Sequence, residues 1–204
     1  MKRQRGFAMQ TLARVAVFAA LIAVLGVPGT LNVFGAAVPI TLQTMGVMLA
    51  GVILGSWRAA LAVLVLLVLI AAGLPLAAGG RGGLGLFTGP SAGFLIGWLP
   101  GAAVTGWLVE RAGRSPSTLR LFLACLVGCV GVIYLFGIPV WALVSGMTLG
   151  AAAWSTLLFL PGDLIKAGLT AVVARARSAP TPTRCPPCTA NACARTGALT
   201  LRCP

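Results

Sequence analysis

The sequence predicts an all-α integral membrane protein of six transmembrane helices with both termini on the cytoplasmic side. The first observation is composition: of 204 residues, 59% are hydrophobic and 8% charged, and mean hydropathy is +1.03. Soluble domains are about 45–50% apolar and about 25% charged, so soluble globular, disordered and coiled-coil readings are excluded. The second is length: a spanning helix needs about 20 apolar residues, and 59% of this chain, roughly 120 residues, suits about six of them. The third is charge placement, since Lys and Arg gather between alternate apolar runs, as cytoplasmic loops do.

The first helix is expected over about residues 12–28, where Lys2, Arg3, Arg5 and Arg14 lead into the apolar run Val15–Val27. That order also fits a secretory signal, but more apolar segments follow and no A-x-A site closes the run. Pro28, Gly29 and Asn32 break the helix. Pro39 suits the first turn of a second helix, where its missing N–H costs nothing, and this helix runs to about Gly55. Trp57 and Arg58 mark an interface, and a third helix spans about Arg58 to Leu74. The Gly-rich segment Pro75–Pro90 is no regular helix. A fourth helix spans about Ser91–Glu110, with a kink expected at Pro100, and Arg111–Arg120 is a basic link. A fifth covers roughly 121–137. Pro161 and Asp163 of FLPGDLIK read as a helix start, with the carboxylate at the positive dipole end. The sixth helix therefore runs from about Pro161 to Ala176, and 138–160 is expected to be interfacial or partly re-entrant.

With a cytoplasmic N-terminus, the inner loops collect Lys2, Arg3, Arg5, Arg14, Arg58, Arg111, Arg114, Arg120, Arg175 and Arg177, and the outer loops hold only Arg81. The membrane domain is thus residues 1–177. The tail 178–204 (SAPTPTRCPPCTANACARTGALTLRCP) is Pro- and Thr-rich without apolar periodicity and is expected to be disordered. Its cysteines, Cys185, Cys188, Cys193 and Cys203, are too irregularly spaced for a metal site, while Cys125 and Cys129 are expected to pack as small apolar residues.

The balance of 15 Lys+Arg, 2 Asp+Glu and no His gives a net charge of +13. Nucleic acid would favour such a charge, but cytoplasmic loops account for it, so the expected surroundings are membrane lipid and no nucleic acid. Without His there is no Ser-His-Asp triad and no HExxH zinc site, and no GxxxxGK[ST] loop is present. The chain reads as no enzyme, with no cofactor and no metal. GRGGLG fits GxGxxG formally but lacks the strand–helix setting of a dinucleotide site.

Three polar islands interrupt the apolar sequence: Val38–Thr44 (VPITLQT), Gly79–Gly93 (GGRGGLGLFTGPSAG) and Leu160–Lys166 (LPGDLIK). In the expected topology all three meet at the outer membrane face, which suggests a ligand pocket opening outward; irregular backbone at membrane depth is tolerated where it lines a cavity. Asp163 and Lys166, three apart on one helix face, are charges inside a span, and such charges usually mark function; the alternative is an ion pair that offsets its own burial. Arg81, flanked by Gly79, Gly80, Gly82 and Gly83, can meet a ligand carboxylate through its fork or be a solvated loop residue. Thr41 and Gln43 can bond a ligand or a neighbouring helix, and Ser91 and Thr88 are similar but weaker. Glu110 beside Arg111 is expected to form an interfacial pair. Gly51-x3-Gly55, Gly93-x3-Gly97 and Gly97-x3-Gly101 allow close helix packing. Ala16-x3-Ala20 and Ala19-x3-Ala23 fit either internal packing or a partner protein.

The segments VPITLQTMGVMLAGVILG, GLPLAAGGRGGLGLFTGPSAGFLIGW and FLPGDLIKAGLTAVVA resemble the BioY family, the biotin-binding (S) components of energy-coupling-factor (ECF) transporters. The likeness covers about residues 12–176, with departures at Ser91, Ala92 and Phe94, where relatives more often have Thr, Gly and Tyr. The resemblance implies biotin capture from outside, with a transmembrane coupling (T) component and two cytoplasmic ATPase subunits as partners. It implies Asp163 and Lys166 as biotin contacts, and a docking face on helix one (Ala16, Ala20, Ala23). Arg81, Gln43, Thr41 and Ser91 are the further candidates for binding substrate. The contrasting expectation is a solitary, ion-coupled transporter of a small anion with Asp163 as its proton or sodium group.

Overall fold

In this computed structural model, residues 2–27, 41–113 and 116–178 are described. Helices α1 (Lys2–Val24), α2 (Gln43–Leu54), α3 (Ser56–Ala71) and α4 (Ala92–Arg111) are followed by α5 (Thr118–Ala124), α6 (Val132–Ser145), α7 (Leu149–Thr156) and α8 (Leu160–Ser178). A seven-residue π-helical stretch, Cys125–Gly131, joins α5 to α6, and the three together form one continuous helix of 28 residues, Thr118–Ser145. Among the described residues there is no strand, only an isolated bridge between Ala77 and Arg81 in the Gly-rich segment.

Helix α4 is the central post, packing against α2, α3 and α6. Its glycines make that possible. A Cβ on Gly93 would lie 2.5 Å from the Phe136 carbonyl oxygen, and one on Gly97 would lie 3.0 Å from Ile133 Cα. Thr105 is wedged between two more: a Cβ on Gly51 would meet its Cβ at 2.9 Å, and one on Gly128 its Oγ1 at 2.6 Å. Small residues at crossings let membrane helices approach until backbone touches side chain. Cys125 and Cys129 are fully buried in this core beside Met48, Leu66 and Ile70. The outward faces carry exposed apolar side chains such as Leu143, Val172 and Val68, the arrangement of a protein solvated by hydrocarbon.

Several boundaries differ from expectation. Helix α1 starts at Lys2, well before residue 12, and stops at Val24. Helix α2 begins at Gln43, so Thr41 precedes it rather than occupying its first turn. Helix α3 spans Ser56–Ala71, not Arg58–Leu74. The fifth helix does not end at 137. It continues through Pro139 to Ser145, because in an apolar setting an interrupted helix leaves more backbone groups unpaired than the single N–H a proline lacks. Only 146–160 then departs from a straight span: Gly146 ends α6 in the left-handed conformation, and α7 and α8 meet at 49°. Glu110 does not pair with Arg111. Its Oε1 accepts from Ser56 N at 2.9 Å, while Arg111 lies over the Trp107 ring at 4.0 Å. The start of α3 presents free N–H groups at the positive end of its dipole and outcompetes a neighbouring guanidinium for the carboxylate. Glycine suits position 55 because its φ of 82° is one that other residues rarely adopt, and a Cβ there would press on the Glu110 carboxylate.

Among the described residues, Ala92–Arg111 and Thr118–Ser145 are long and apolar enough to cross a membrane, and the bent pair α7–α8 makes a third span if counted as one. Met9–Val24, Gln43–Leu54 and Ser56–Ala71 are apolar but shorter. The protein is a helical membrane protein. Pro39, Arg114 and the tail 179–204 with its four cysteines lie outside the described residues.

Candidate functional site

A cavity opens where the start of α2, the segment 77–91, the first half of α4, the start of α6 and the start of α8 converge. It takes in about 780 Å³ with the open space at its mouth counted. Thr41, Gln43, Arg81, Ser91, Asp163 and Lys166 line it, while Thr88 does not and donates instead to the Gly85 carbonyl at 3.1 Å. The three polar islands, far apart in sequence, do meet.

Asp163 and Lys166 form its polar floor. Both are nearly buried, at 7% and 6% exposure, and Lys166 Nζ lies 3.1 Å from Asp163 Oδ1. One helical turn of α8 sets that distance, as the spacing predicts. Each residue has one further partner. Tyr134 Oη donates to Asp163 Oδ2 at 2.7 Å, and Lys166 Nζ donates to Thr44 Oγ1 at 3.2 Å. Thr44 in turn donates to the Thr41 carbonyl at 3.3 Å. The chain Tyr134–Asp163–Lys166–Thr44 thus ties α6, α8 and α2 together. Sequence reasoning missed Tyr134 and did not single out Thr44; the available signal was that Tyr134 is the only tyrosine in the chain.

The walls are apolar. Phe94 meets Tyr134 edge-on at 6.4 Å between centroids and Trp141 at 6.2 Å, and Trp141 is tilted against Phe159 at 6.1 Å. Such edge contacts favour a fixed ring geometry. Gly137 allows it, because a Cβ there would lie 2.5 Å from the Phe94 ring. Trp98, Met48 and Ile133 also line the cavity, and Trp141 backs Phe94 and Phe159 from behind.

The remaining candidates differ in kind. Arg81 is exposed at the cavity rim, and its Nε donates to the Ala78 carbonyl at 3.3 Å, closing the turn it sits in. Ser91 precedes α4, half-buried, and caps nothing with its side chain. Gln43 is buried at 1% exposure, and its Nε2 donates to two backbone carbonyls, Leu76 at 2.9 Å and Ile22 at 3.4 Å. On helix one, Ala16 and Ala20 are exposed while Ala19 is buried and Ala23 packs on the core. Among the described residues no three His, Cys, Asp or Glu come together.

A floor that offers both an acceptor and a cation, apolar aromatic walls and a cationic rim define a membrane-embedded site for a small, partly polar organic molecule. Comparison with known proteins narrows that class. Residues 1–182 match the BioY family. The biotin transporter BioY of Rhodobacter capsulatus is 51% identical over 171 residues, covering 79% of this chain and 89% of that protein. The biotin transporter BioY of Lactococcus lactis subsp. cremoris is 36% identical over 169 residues, covering 82% and 89%. A crystal structure of the S-component for biotin from an ECF-type ABC transporter superposes with a TM-score of 0.80 at 33% identity, covering 84% of this chain and 92% of that one. The chain belongs to the BioY family.

Proposed function

We propose that this protein captures biotin in the cavity and serves as the S component of an ECF-type transporter that imports it across the cytoplasmic membrane. The observation that carries the reading is the buried Asp163–Lys166 pair, held by Tyr134 and Thr44 at the floor of an apolar cavity, in a chain of this family. Biotin presents two ureido N–H donors, a ureido oxygen, an apolar thiophane ring and a carboxylate. Asp163 accepts from the ureido N–H, and Lys166 meets the ureido oxygen. Phe94, Trp98 and Phe159 cover the ring. The valerate carboxylate then reaches Arg81, whose terminal nitrogens are spare once Nε has closed its turn. Ser91 and Thr41 offer hydroxyls near the rim.

Six helices, with both ends cytoplasmic and the cavity outward, complete the proposal. The short apolar helices α1, α2 and α3 each count as a span, and Arg58, Arg111, Arg120 and Arg175 fall on the inner side. Ala16 and Ala20 are free for the T component, with the two ATPase subunits below it. The absence of a nucleotide-binding motif from the sequence suits that division of labour. Calorimetric titration of the detergent-purified protein with biotin tests the assignment. Saturable tight binding by the lone subunit is the expected result. A folded preparation that takes no biotin overturns it, and uptake of another small anion abolished by a proton uncoupler would favour the solitary ion-coupled transporter.

A further inference from the structure

Gln43 is a candidate both for the ligand and for a neighbouring helix, and its geometry points to the second. A carboxamide has two N–H donors and one acceptor oxygen. Both contacts of Gln43 run from Nε2, to the carbonyls of Leu76 and Ile22, so its donors are spent on the protein. Those carbonyls belong to two different parts of the molecule. Ile22 is fully buried in the last turns of α1. Leu76 begins the segment whose Ala77, Ala78 and Arg81 form one wall of the cavity, and Ala77 N donates to the Arg81 carbonyl at 2.9 Å, so the segment moves as one piece. Its far end is fastened to α3, where Gly83 N donates to the Ile70 carbonyl at 2.7 Å. The fit around Gln43 is close: a Cβ on Gly26 would lie 2.8 Å from Gln43 Nε2, and one on Gly46 would lie 3.0 Å from Ile22 Cγ1.

We propose that Gln43 is a positioning residue, a clasp that fastens the 76–81 wall of the cavity to α1 and so sets how long a bound molecule stays. This rests on the reading of the cavity as a biotin site. With the clasp released, the wall loses its tie to α1 and is hydrogen-bonded only to the end of α3, through Leu74 N to the Leu69 carbonyl at 3.1 Å and Gly83 N to the Ile70 carbonyl, so it can shift about that end and carry Arg81 off the rim. Occupancy of the cavity and the position of α1 are thereby linked through one side chain.

Two substitutions separate this role from direct ligand contact. Gln43→Glu keeps length and the acceptor oxygen but removes both donors; Gln43→Met removes every polar atom. Spin labels at the exposed Val24 and at Gly80 in the wall, where an added side chain meets nothing within 4 Å, report the distance between the end of α1 and the wall in the ligand-free, detergent-purified protein. The expected result is a narrow distance distribution in the otherwise unsubstituted protein and a broad one in both variants, with biotin release about tenfold faster in each, the scale of one buried hydrogen bond lost. A Gln43→Glu protein with unbroadened distances and unchanged release overturns the clasp, because an acceptor serving the ligand would survive that change. Should either variant fail to fold, Gly26→Ala retains Gln43 and displaces its amide from the α1 side; broadening there supports the clasp, and unchanged distances overturn it. If the unsubstituted protein takes up no biotin, the functional reading falls while the distances still decide the clasp.

Discussion

Glu110 lies at the last turn of α4, exposed, accepting one backbone N–H at 2.9 Å from the start of α3. Asp163 lies in the first turn of α8, nearly buried, between a tyrosine hydroxyl and a lysine. These are the chain's only two carboxylates, and they occupy opposite kinds of place. The first replaces water at a helix end, where solvent screens its charge and little is at stake. The second has been taken out of water, and its desolvation is offset only by good geometry with a cation and further hydrogen bonds. A buried pair is often no better for stability than apolar residues of similar volume, so a floor of this kind in a chain that is 8% charged points to ligand chemistry rather than to folding.

Substitutions break or sharpen that contrast. Lys166→Met leaves Asp163 buried without its cation, and the expected loss of stability is about 3–5 kcal/mol, read as a lowered midpoint of thermal unfolding in detergent together with abolished biotin binding; an unchanged midpoint would mean that solvent reaches the pair. Asp163→Asn keeps size and removes charge. Biotin affinity should fall at least about tenfold, or ~1.4 kcal/mol, and unchanged affinity by calorimetry would remove Asp163 from the ligand. Tyr134→Phe deletes one hydroxyl and keeps the ring against Phe94, so a loss of about 0.5–1.5 kcal/mol in biotin affinity is expected, with the helical circular dichroism unaltered. Glu110→Gln should cost about 0.3–1 kcal/mol of stability and leave biotin affinity where it was. A drop in affinity there would erase the distinction between the two carboxylates.

Much of this site was legible in the sequence, for a definable reason. The i,i+3 spacing of Asp163 and Lys166 is local, and a helix converts it directly into a contact. The three polar islands stand out because almost everything around them is apolar. What could not be read were partners chosen across helices. Tyr134 sits in an apolar run, and its hold on Asp163 depends on how α6 lies beside α8 and α4, which Gly93, Gly97 and Gly137 determine by close approach. The partner of Glu110 is a backbone N–H 54 residues away, invisible to any spacing rule. Gln43 was recognised as polar and significant, but its direction depends on carbonyls in α1 and the Gly-rich segment. The end expected for the fifth helix at 137 failed because backbone in an apolar setting has no partner outside the helix, so the helix continues through Pro139 to Ser145.

The π-helical stretch Cys125–Gly131 has a consequence for how the floor could be lost. A helix has a reading frame: each residue turns the next by about 100°, and a π turn holds one residue more than an α turn can. Deleting one residue from this stretch would let it relax to ordinary α-helix while the helix on either side keeps its frame, so Tyr134 stays on Asp163 and Ile133 on Gly97. A residue lost from the plain α-helix on either side has no such slack and rotates all that follows by about that angle. The stretch is therefore the one place along Thr118–Ser145 where the chain can shorten without losing the floor of the cavity.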